Sequence, residues 1–191
     1  MTPALRSFRL TLHPYTRILV SLEHVGWLND PELMQYSENR HLRHTLMSQY
    51  AYVSNFGDNQ HLWLIRCGEK DIGTISAHVD DINKRANLGI LLGSREHQGQ
   101  GLAAEAWLAV IDWLFGEGIH KVEAGCRDDN HPMRRLAVTT GMTLEAELPG
   151  HFKCGDKWLS AVLYGRFKTD QYHSEWDAMW SEPFYKPGGM A

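Results

Sequence analysis

A long amphipathic helix that begins at a glycine-rich turn constrains the fold of this chain more than any other feature. From Gly101 to Phe115, apolar residues recur at helical spacing along one face. They are Ala103, Ala106, Trp107, Val110, Ile111 and Leu114. Gly116 and Gly118 then end the helix. We therefore predict one strong helix that flanks a sheet made by the strands around it.

The turn in front of this helix, Gln98 to Ala103, is suited to binding an anion. The first N–H groups of a helix have no partner within it and lie at the positive end of its dipole. Gly99 and Gly101 let the backbone approach phosphate groups closely, and Ala103 and Ala104 keep the first turn clear of large side chains. The sequence contains neither the P-loop pattern GxxxxGKS/T nor GxGxxG after the first strand, which excludes those two nucleotide sites.

The rest of the chain carries alternating strand and helix signals. The predicted strands are Phe8 to Leu12, His61 to Cys67, Ile72 to His78, Ala86 to Leu92, Lys121 to Cys126, Met142 to Leu148 and Trp158 to Tyr164. The other predicted helices are Tyr15 to Trp27, Leu46 to Phe56 and Pro132 to Thr140. Short loops join the second, third and fourth strands and indicate an antiparallel meander. The fold class is therefore α/β (α+β), with a mostly antiparallel central sheet of about seven strands flanked by helices.

Composition excludes several classes of function. The chain has 19 Lys and Arg against 23 Asp and Glu, so its formal charge of −4 gives no general attraction to nucleic acid. Cys67, Cys126 and Cys154 form no CxxC pair, and the histidines show no metal-binding spacing, so we predict neither disulfides nor a metal site. The amino terminus has no apolar stretch long enough for a signal peptide or a membrane span. We expect a cytoplasmic protein without a membrane or nucleic-acid partner.

The chain divides into a domain over residues 1–168 and an aromatic-rich C-terminal tail over residues 169–191. In the tail, Tyr172, Trp176, Met179 and Trp180 fit one face of a helix. We expect this tail to pack on the domain or on a partner subunit, and a homodimer is the assembly that it suggests.

Two motifs of the chain resemble those of the GNAT superfamily of N-acetyltransferases. Gln98 to Ala103 is similar to the acetyl-CoA signature Q/R-x-x-G-x-G/A, at its usual place after the fourth strand. After the fifth strand, Asn130 is followed eleven residues later by Gly141-Met142, as in the second signature. Gly89 to Gly93 and Trp27 to Glu32 look most like the branch of ribosomal-protein N-terminal and sugar-nucleotide N-acetyltransferases.

The resemblance covers residues 6 to 166 and implies a sheet that splays apart between its fourth and fifth strands. The pantetheine arm of acetyl-CoA would lie in that opening, and the pyrophosphate would bind the amides of Gln100 to Ala104. The implied cofactor-binding residues are Leu91, Leu92, Gly93, Gln98, Gly99, Gln100, Gly101, Leu102, Ala103, Ala104, Asn130 and Arg135. Arg134 is an alternative to Arg135 as a partner for the CoA phosphates.

The resemblance also implies direct attack of a neutral amine on the thioester, with the carbonyl polarised by a backbone N–H of the fourth strand. Two acid–base positions of the superfamily are changed here. A Glu eleven residues before the signature Gln is replaced by Asn87, and a Tyr seven residues after the motif Asn is replaced by Ala137. The catalytic candidates are then His78, Glu123 and, as the holder of a relay water, Asn87.

The acceptor should enter beside the first two helices, where Tyr36, Ser37, Arg40 and His44 are candidate contacts. Arg40 suits a phosphate group. We predict a small-molecule or N-terminal amine acceptor: first a nucleotide-linked amino sugar, and second a protein N-terminus. A polyamine or aminoglycoside acceptor, a longer acyl-CoA with space at Gly93, and a noncatalytic acyl-CoA-binding module stay open as alternatives.

Overall fold

The structure is a computed structural model that describes residues 1–170. Its strands are β1 (Leu5–Arg6), β2 (Leu10–Pro14), β3 (Gln60–Cys67), β4 (Lys70–Asp80), β5 (Arg85–Leu92), β6 (Lys121–Arg127), β7 (Thr143–Cys154) and β8 (Lys157–Phe167). Its α-helices are α1 (Leu22–Asn29), α2 (Leu46–Ser54), α3 (Leu102–Gly116) and α4 (His131–Thr139). Short 3-10 turns span Arg17–Leu19, Glu38–His41 and Arg95–His97. The expectations for the C-terminal tail, including dimerisation, concern residues 171–191 and lie outside the described residues.

The strands of the described chain form one sheet in the order β1-β2-β3-β4-β5-β6-β8-β7. Neighbouring strands are antiparallel except β5 and β6, which run parallel. The predicted meander is confirmed, because β3 pairs with β4 and β4 pairs with β5. A parallel pair cannot be joined by a tight hairpin, so the chain crosses from β5 to β6 through α3.

Helix α3 covers one face of the sheet and forms the main core with it. The helix spans Leu102 to Gly116, within one residue of the prediction at each end. Trp107 and Ile111 have no exposed surface, and they pack in one cluster with Ile75 of β4 and Val122 of β6. Full burial of such a side chain stabilises the fold by about 1.5–3 kcal/mol. The predicted apolar stripe is therefore the face that α3 presents to the sheet.

Helices α1 and α2 lie on the opposite face, beside β3. Leu62 and Leu64 of β3 point to this side and form a second cluster with residues of the first 60 positions. The other buried members of this cluster are Tyr15, Val20 and Val53. The two helices leave the β4, β5 and β6 part of this face accessible at His78, Asn87 and Gly125. A polar, open surface therefore lies beside the buried cluster.

The predicted strands differ from the structure most near the two edges of the sheet. The described chain has eight strands instead of about seven, because β1 has two residues, too few for a recognisable alternation. Phe8 lies in the β1–β2 turn, which is closed by a hydrogen bond from Ser7 N to Leu10 O at 3.0 Å. The last two strands are longer than predicted, because β7 continues through Pro149 with a register shift before Phe152. Proline is tolerated there since β7 is an edge strand.

The first helix also starts later than predicted. The Ser21 side chain accepts a hydrogen bond from His24 N at 3.3 Å and caps α1, so the α-helix begins at Leu22. Residues Arg17–Leu19 form a 3-10 turn instead. Serine is a preferred helix-capping residue because its oxygen satisfies one of the unpaired N–H groups of the first turn.

Candidate active site

The parallel strands β5 and β6 are paired only over their first three residues. Arg85, Ala86 and Asn87 pair with Lys121, Val122 and Glu123. Within residues 1–170, the remaining residues of β5 and β6 have no partner on each other's strand. The sheet is therefore splayed between these strands, as predicted. We call this opening, between residues 88–92 and 124–127, the gap.

Alternate residues of β5 direct their backbone groups into the gap. On the β6 side, Lys84 O accepts a hydrogen bond from Lys121 N at 3.2 Å, and on the β4 side Gly93 N donates to Ile72 O at 2.9 Å. Strand residues alternate in the side to which their N–H and C=O point. Leu88, Ile90 and Leu92 therefore face the gap. Of the three residues predicted to contact a pantetheine arm, Leu92 faces the gap, whereas the backbones of Leu91 and Gly93 face β4.

The glycine-rich loop from Gln98 to Gly101 lies between the end of β5 and the start of α3. Gly99 and Gly101 have φ angles of 74° and 76°, a region that favours glycine. The Gln98 side chain donates to Leu92 O at 3.1 Å, which fixes the loop against the end of the gap. The Gln100 side chain donates to Glu96 O at 2.6 Å. No side chain caps α3 within the described residues, so its first amides are available to an anion.

Asn130 and the two arginines of α4 stand on the β6 side of the gap. Asn130 caps α4, because its side-chain oxygen accepts a hydrogen bond from Met133 N at 3.1 Å. Arg134 donates to Asp128 O at 2.9 Å and contacts Tyr164 Oη at 3.4 Å. Arg135 is exposed. Arg135 is thus the more accessible of the two alternatives for a phosphate, and Arg134 serves the local structure.

The three predicted catalytic residues lie in one row across β4, β5 and β6. His78 pairs with Asn87, and Asn87 pairs with Glu123, so the three side chains share one face of the sheet. His78 and Asn87 are exposed, and the His78 ring lies 5.7 Å from the ring of Phe56. We call these three candidates for catalysis the catalytic row. It stands at the narrow end of the gap, where β5 and β6 are still paired.

Glu123 is already engaged by two cations. One of its carboxylate oxygens lies 2.9 Å from Lys121 Nζ, and the other lies 3.7 Å from Arg85 Nη1. Lys121 also binds Glu145 at 2.7 Å, and this hydrogen bond raises the pKa of Lys121. Glu123 is therefore held in an ion-pair network, whereas the His78 imidazole carries no charge partner among the described residues. His78 is the better placed of the two to accept a proton.

The four residues predicted at the acceptor mouth are mostly engaged with their own segment. Ser37 caps the 3-10 turn, because its oxygen accepts from Asn39 N at 3.2 Å. Arg40 binds the Glu38 carboxylate at 2.6 Å, and this contact lowers the pKa of Glu38. His44 N donates to the Asn29 side chain at 2.9 Å. Tyr36 is the member whose ring faces a cation from another element.

That cation is Arg127, which the sequence analysis did not identify. Its guanidinium lies 5.5 Å from the Tyr36 ring, donates to Gln35 O at 3.0 Å and binds Asp129 at 2.6 Å. The hydrogen bond from Arg127 lowers the pKa of Asp129. Arg127 ends β6. It therefore holds the segment between α1 and α2, residues 30–45, which we call the mouth segment, against the β6 side of the gap.

Arg95 holds the same segment from the opposite side of the gap. It lies in the 3-10 turn before the glycine-rich loop and binds Asp30 at 2.8 Å and Glu32 at 2.6 Å. Its hydrogen bond lowers the pKa of Asp30. The segment after α1 is therefore tied both to the loop that precedes α3 and to the end of β6. These contacts join residues 65 and 92 positions apart, which local sequence patterns do not reveal.

Gly93 faces a tryptophan instead of an open space. A Cβ atom at Gly93 would lie 2.0 Å from Cδ2 of Trp27. The indole of Trp27, which is 8% exposed, therefore packs directly on the backbone at the end of β5. The space that the sequence suggested for a longer acyl group beside Gly93 is filled by this ring.

Cys126 lies on the β6 wall of the gap and packs against the main core. Burial raises the pKa of its thiol to about 11. All three cysteines are free and half-buried.

Among residues 1–170, no group of three or more His, Cys, Asp or Glu side chains is arranged to hold a metal ion. Over the same residues, no helix combines the length and the apolar character required to cross a membrane.

Comparison with known proteins places this geometry in a family. Residues 9–143 match the model of the acetyltransferase (GNAT) domain. No curated protein sequence matches the chain. The solved structure of RimL, a ribosomal L7/L12 alpha-N-protein acetyltransferase in complex with coenzyme A, is 21% identical, with a TM-score of 0.76 over 86% of this chain and 98% of its own.

Two further structures share the fold. An acetyltransferase of the GNAT family from Bacillus anthracis is 19% identical, with a TM-score of 0.75 over 88% of this chain and all of its own (100%). The microcin C7 self-immunity acetyltransferase MccE, in complex with acetyl-CoA and AMP, is 19% identical, with a TM-score of 0.72 over 83% of this chain and 92% of its own. At these identities the similarity shows a common fold.

Proposed function

Because the chain belongs to the GNAT family of acetyltransferases, we propose that it transfers the acetyl group of acetyl-CoA to a weakly basic primary amine. One observation carries this proposal. The gap between β5 and β6 runs into a glycine-rich loop that opens α3, so an extended arm and a diphosphate can bind in sequence along one path. The complexes of RimL with coenzyme A and of MccE with acetyl-CoA and AMP support this donor.

The residues of the gap fit the parts of acetyl-CoA. Leu88, Ile90 and Leu92 offer the backbone of an unpaired strand edge, which suits the amides of a pantetheine arm. At Gly99 an added Cβ would meet no atom within 4 Å, so the loop leaves room for phosphate groups. Bound acetyl-CoA supplies an activated thioester carbonyl. The backbone N–H groups of β5 that face the gap are the donors available to stabilise negative charge on that carbonyl oxygen.

The reaction that we propose is a direct displacement. The lone pair of the amine nitrogen forms the C–N bond, the C–S bond breaks, and the thiolate of CoA leaves with the electron pair of the C–S bond. The proton released by the amine passes to His78, directly or through water held by Asn87, and the thiolate is protonated from solvent. Holding the two reactants together in the gap supplies much of the rate.

The weak basicity of the acceptor follows from the residues around the catalytic row. Position 87 carries an amide, and Ala137 is fully buried in the core, so neither position offers an acid or a base. A lysine amine has a pKa near 10.4 and has to be deprotonated by a strong base, whereas a protein α-amine has a pKa of about 7.7–8.0 and is partly neutral at pH 7. Amino sugars are also less basic than lysine. We therefore favour an α-amine or an amino sugar over a polyamine.

Between these two acceptors, the contacts of Arg40 favour the α-amine. Arg40 was the residue expected to bind a nucleotide phosphate, but it is paired with Glu38 at 2.6 Å. RimL is a ribosomal-protein alpha-N-acetyltransferase, and its structure is similar to this chain. We therefore propose a protein N-terminus as the first acceptor and a nucleotide-linked amino sugar as the second.

We also propose a cytoplasmic location, supported by three free cysteines in the described residues.

The test is an acetylation assay with matched amines. The purified protein is incubated with acetyl-CoA and with a peptide that has a free α-amine, the same peptide with a blocked α-amine and a free lysine, a nucleotide-linked amino sugar, and a polyamine. Mass spectrometry then identifies the acetylated product. Acetylation of the free α-amine peptide or the amino sugar supports the proposal. Preferential acetylation of lysine or polyamine would contradict it, and binding of CoA without any product would favour the noncatalytic alternative.

A further inference from the structure

Arg9 joins the first turn of α3 to the glycine-rich loop in front of it. Its Nε donates to Glu105 Oε2 at 2.8 Å, and its Nη1 donates to Gln100 O at 3.1 Å. Arg9 itself lies in the turn between β1 and β2, which is 91 positions from Gln100 in sequence. One guanidinium therefore holds both sides of the segment whose amides face the proposed diphosphate site.

Glu105 is a buried negative charge in this first helical turn. Its side chain has no exposed surface, and it accepts hydrogen bonds from the Ser7 hydroxyl at 2.7 Å and from Arg9 N at 2.6 Å. A carboxylate at this position competes with a bound anion for the positive end of the helix dipole. The Arg9 guanidinium offsets that charge, so it removes the opposition to a phosphate as well as fixing the loop.

The loop needs such a tether, because its glycines add conformational freedom. Gly99 and Gly101 adopt positive φ angles and have no side chains to pack. A loop that is ordered before the ligand arrives loses less entropy on binding. Gln98 and Gln100 bind the loop to neighbouring backbone, and Arg9 adds the connection to a different part of the sheet.

We propose that Arg9 is a positioning residue for the diphosphate of CoA: it orders the Gln98–Gly101 loop through Gln100 O and neutralises Glu105. The diphosphate part of this inference rests on the proposed function, whereas the ordering of the loop does not. The two parts can therefore be tested separately.

The first experiment measures loop order without any ligand. Replacing Arg9 alone leaves a buried carboxylate without its cation, which can unfold the protein. The test variant is therefore the double substitution Arg9→Gln/Glu105→Gln, which removes both charges, and Arg9→Lys is the conservative variant. Arg6→Gln is the matched control, because Arg6 is exposed and lies on β1.

We expect backbone ¹⁵N order parameters of Gly99 and Gly101 to fall from a rigid value of about 0.85 to below about 0.6 in the double variant. In Arg9→Lys, the order parameters of Gly99 and Gly101 should lie between those of the wild type and those of the double variant, because an ammonium lacks the planar fork that reaches both acceptors. Arg6→Gln should match the wild type. Unchanged order parameters in the double variant, or an equal loss throughout the molecule, would overturn the ordering role.

The second experiment measures binding by calorimetry with CoA and with pantetheine, which lacks the diphosphate. In the double variant both the Arg9 and the Glu105 charges are absent, so any change in affinity reports the order of the loop. We expect about tenfold weaker binding of CoA, because the disordered loop loses more entropy on binding, and unchanged binding of pantetheine. Equal weakening for both ligands, or unchanged CoA affinity, would overturn the diphosphate role. If wild-type protein failed to bind CoA, the proposed function itself would fail, while the order parameters would still decide the ordering role.

Discussion

At the scale of residues, His78 is the member of the catalytic row that we propose as the general base. Histidine is the side-chain type whose ordinary pKa lies near neutral pH, and Glu123 is held by Lys121 and Arg85. We predict that His78→Ala lowers kcat/KM by about a hundredfold, a typical contribution of a general base, and removes a limb of the pH–rate profile. His151→Ala, an exposed histidine on β7, is the control. Retention of the limb in His78→Ala would exclude the role.

Cys126 offers a second test at this scale, because burial raises its pKa to about 11. The reactive species is the thiolate, so a thiol reagent should modify Cys126 slowly at pH 8, with a rate that rises until the pH approaches 11. The measurement uses the Cys67→Ser/Cys154→Ser variant, in which Cys126 is the remaining cysteine. Rates that level off near pH 8.5, the ordinary pKa of a cysteine, would contradict the buried environment.

The candidate residues differ in how far the sequence could reveal them. His78 and Glu123 are candidates by their places on the third and fifth predicted strands, and Asn87 is one by its distance from the signature Gln98. The strand register brings the three into one row. Arg9 could not be found in this way, because its partner Glu105 lies 96 positions further along the chain. The same holds for Arg127, whose contact with Gln35 depends on how the mouth segment folds back on β6.

At the scale of elements, the glycine-rich loop depends on backbone freedom at Gly99. Its φ is 74°, and an added Cβ would meet no atom within 4 Å, so Gly99→Ala introduces backbone strain without a clash. We predict a loss of about 1–2 kcal/mol in unfolding free energy and weaker CoA binding, measured by urea titration and calorimetry. Gly116→Ala is the control: it meets no atom, lies in α3, and should stabilise the protein by up to about 1 kcal/mol. Equal effects of the two substitutions would contradict the role of the positive φ.

The contact between α1 and β5 can be tested by a double-mutant cycle. In Gly93→Ala the new methyl group would overlap the Trp27 ring, with Cβ 2.0 Å from Cδ2. We predict that this substitution lowers the unfolding free energy by about 1–3 kcal/mol. In a Trp27→Leu background the same substitution should have a smaller effect, because the overlap is relieved. Additive effects in urea unfolding would show that the ring does not lie on Gly93.

Elements with dense periodic signals could be predicted from the sequence, and short or edge elements could not. Helix α3 repeats its apolar residues over four turns, so its limits were found within one residue. The two-residue strand β1 has no period to detect. The predicted strand ends at Leu148, but β7 continues through Pro149 and Gly150 because an edge strand does not need every N–H for pairing.

At the scale of the whole molecule, buried histidines make stability depend on pH. His24 and His61 are 2% and 8% exposed, and burial lowers the pKa of both below 6.5. Between that lowered pKa and pH 6.5, the unfolded chain binds more protons than the folded one. The contribution of each histidine to the unfolding free energy is therefore fully present above pH 6.5, and it is lost as the pH falls toward the lowered pKa. Each histidine contributes a slope of at most about 1.4 kcal/mol per pH unit.

We therefore predict that the unfolding free energy decreases from pH 7.5 to pH 5.5 in urea titrations. His24→Gln should reduce the slope, although its absolute stability will fall because His24 Nδ1 is hydrogen-bonded to the buried Tyr15 hydroxyl at 2.6 Å. His120→Gln, an exposed histidine, should leave the slope unchanged. A slope that His24→Gln does not alter would show that this histidine is not buried in the neutral form.

The whole molecule brings the proposed donor path and the proposed acceptor surface to the same place. The gap and the glycine-rich loop form the path, and the catalytic row lies at its narrow end on the face that α1 and α2 leave open. Arg95 and Arg127 tie the mouth segment to both sides of the gap. Binding of the donor and of the acceptor should therefore involve a shared set of contacts.

The most direct test of the donor path is the electron density of crystals grown with acetyl-CoA. We predict that the pantetheine arm lies between β5 and β6, with hydrogen bonds to the backbone of Leu88, Ile90 or Leu92, and that the diphosphate contacts the amides between Gly99 and Ala104. Density for the cofactor outside the gap, or a diphosphate away from the start of α3, would contradict the proposed site.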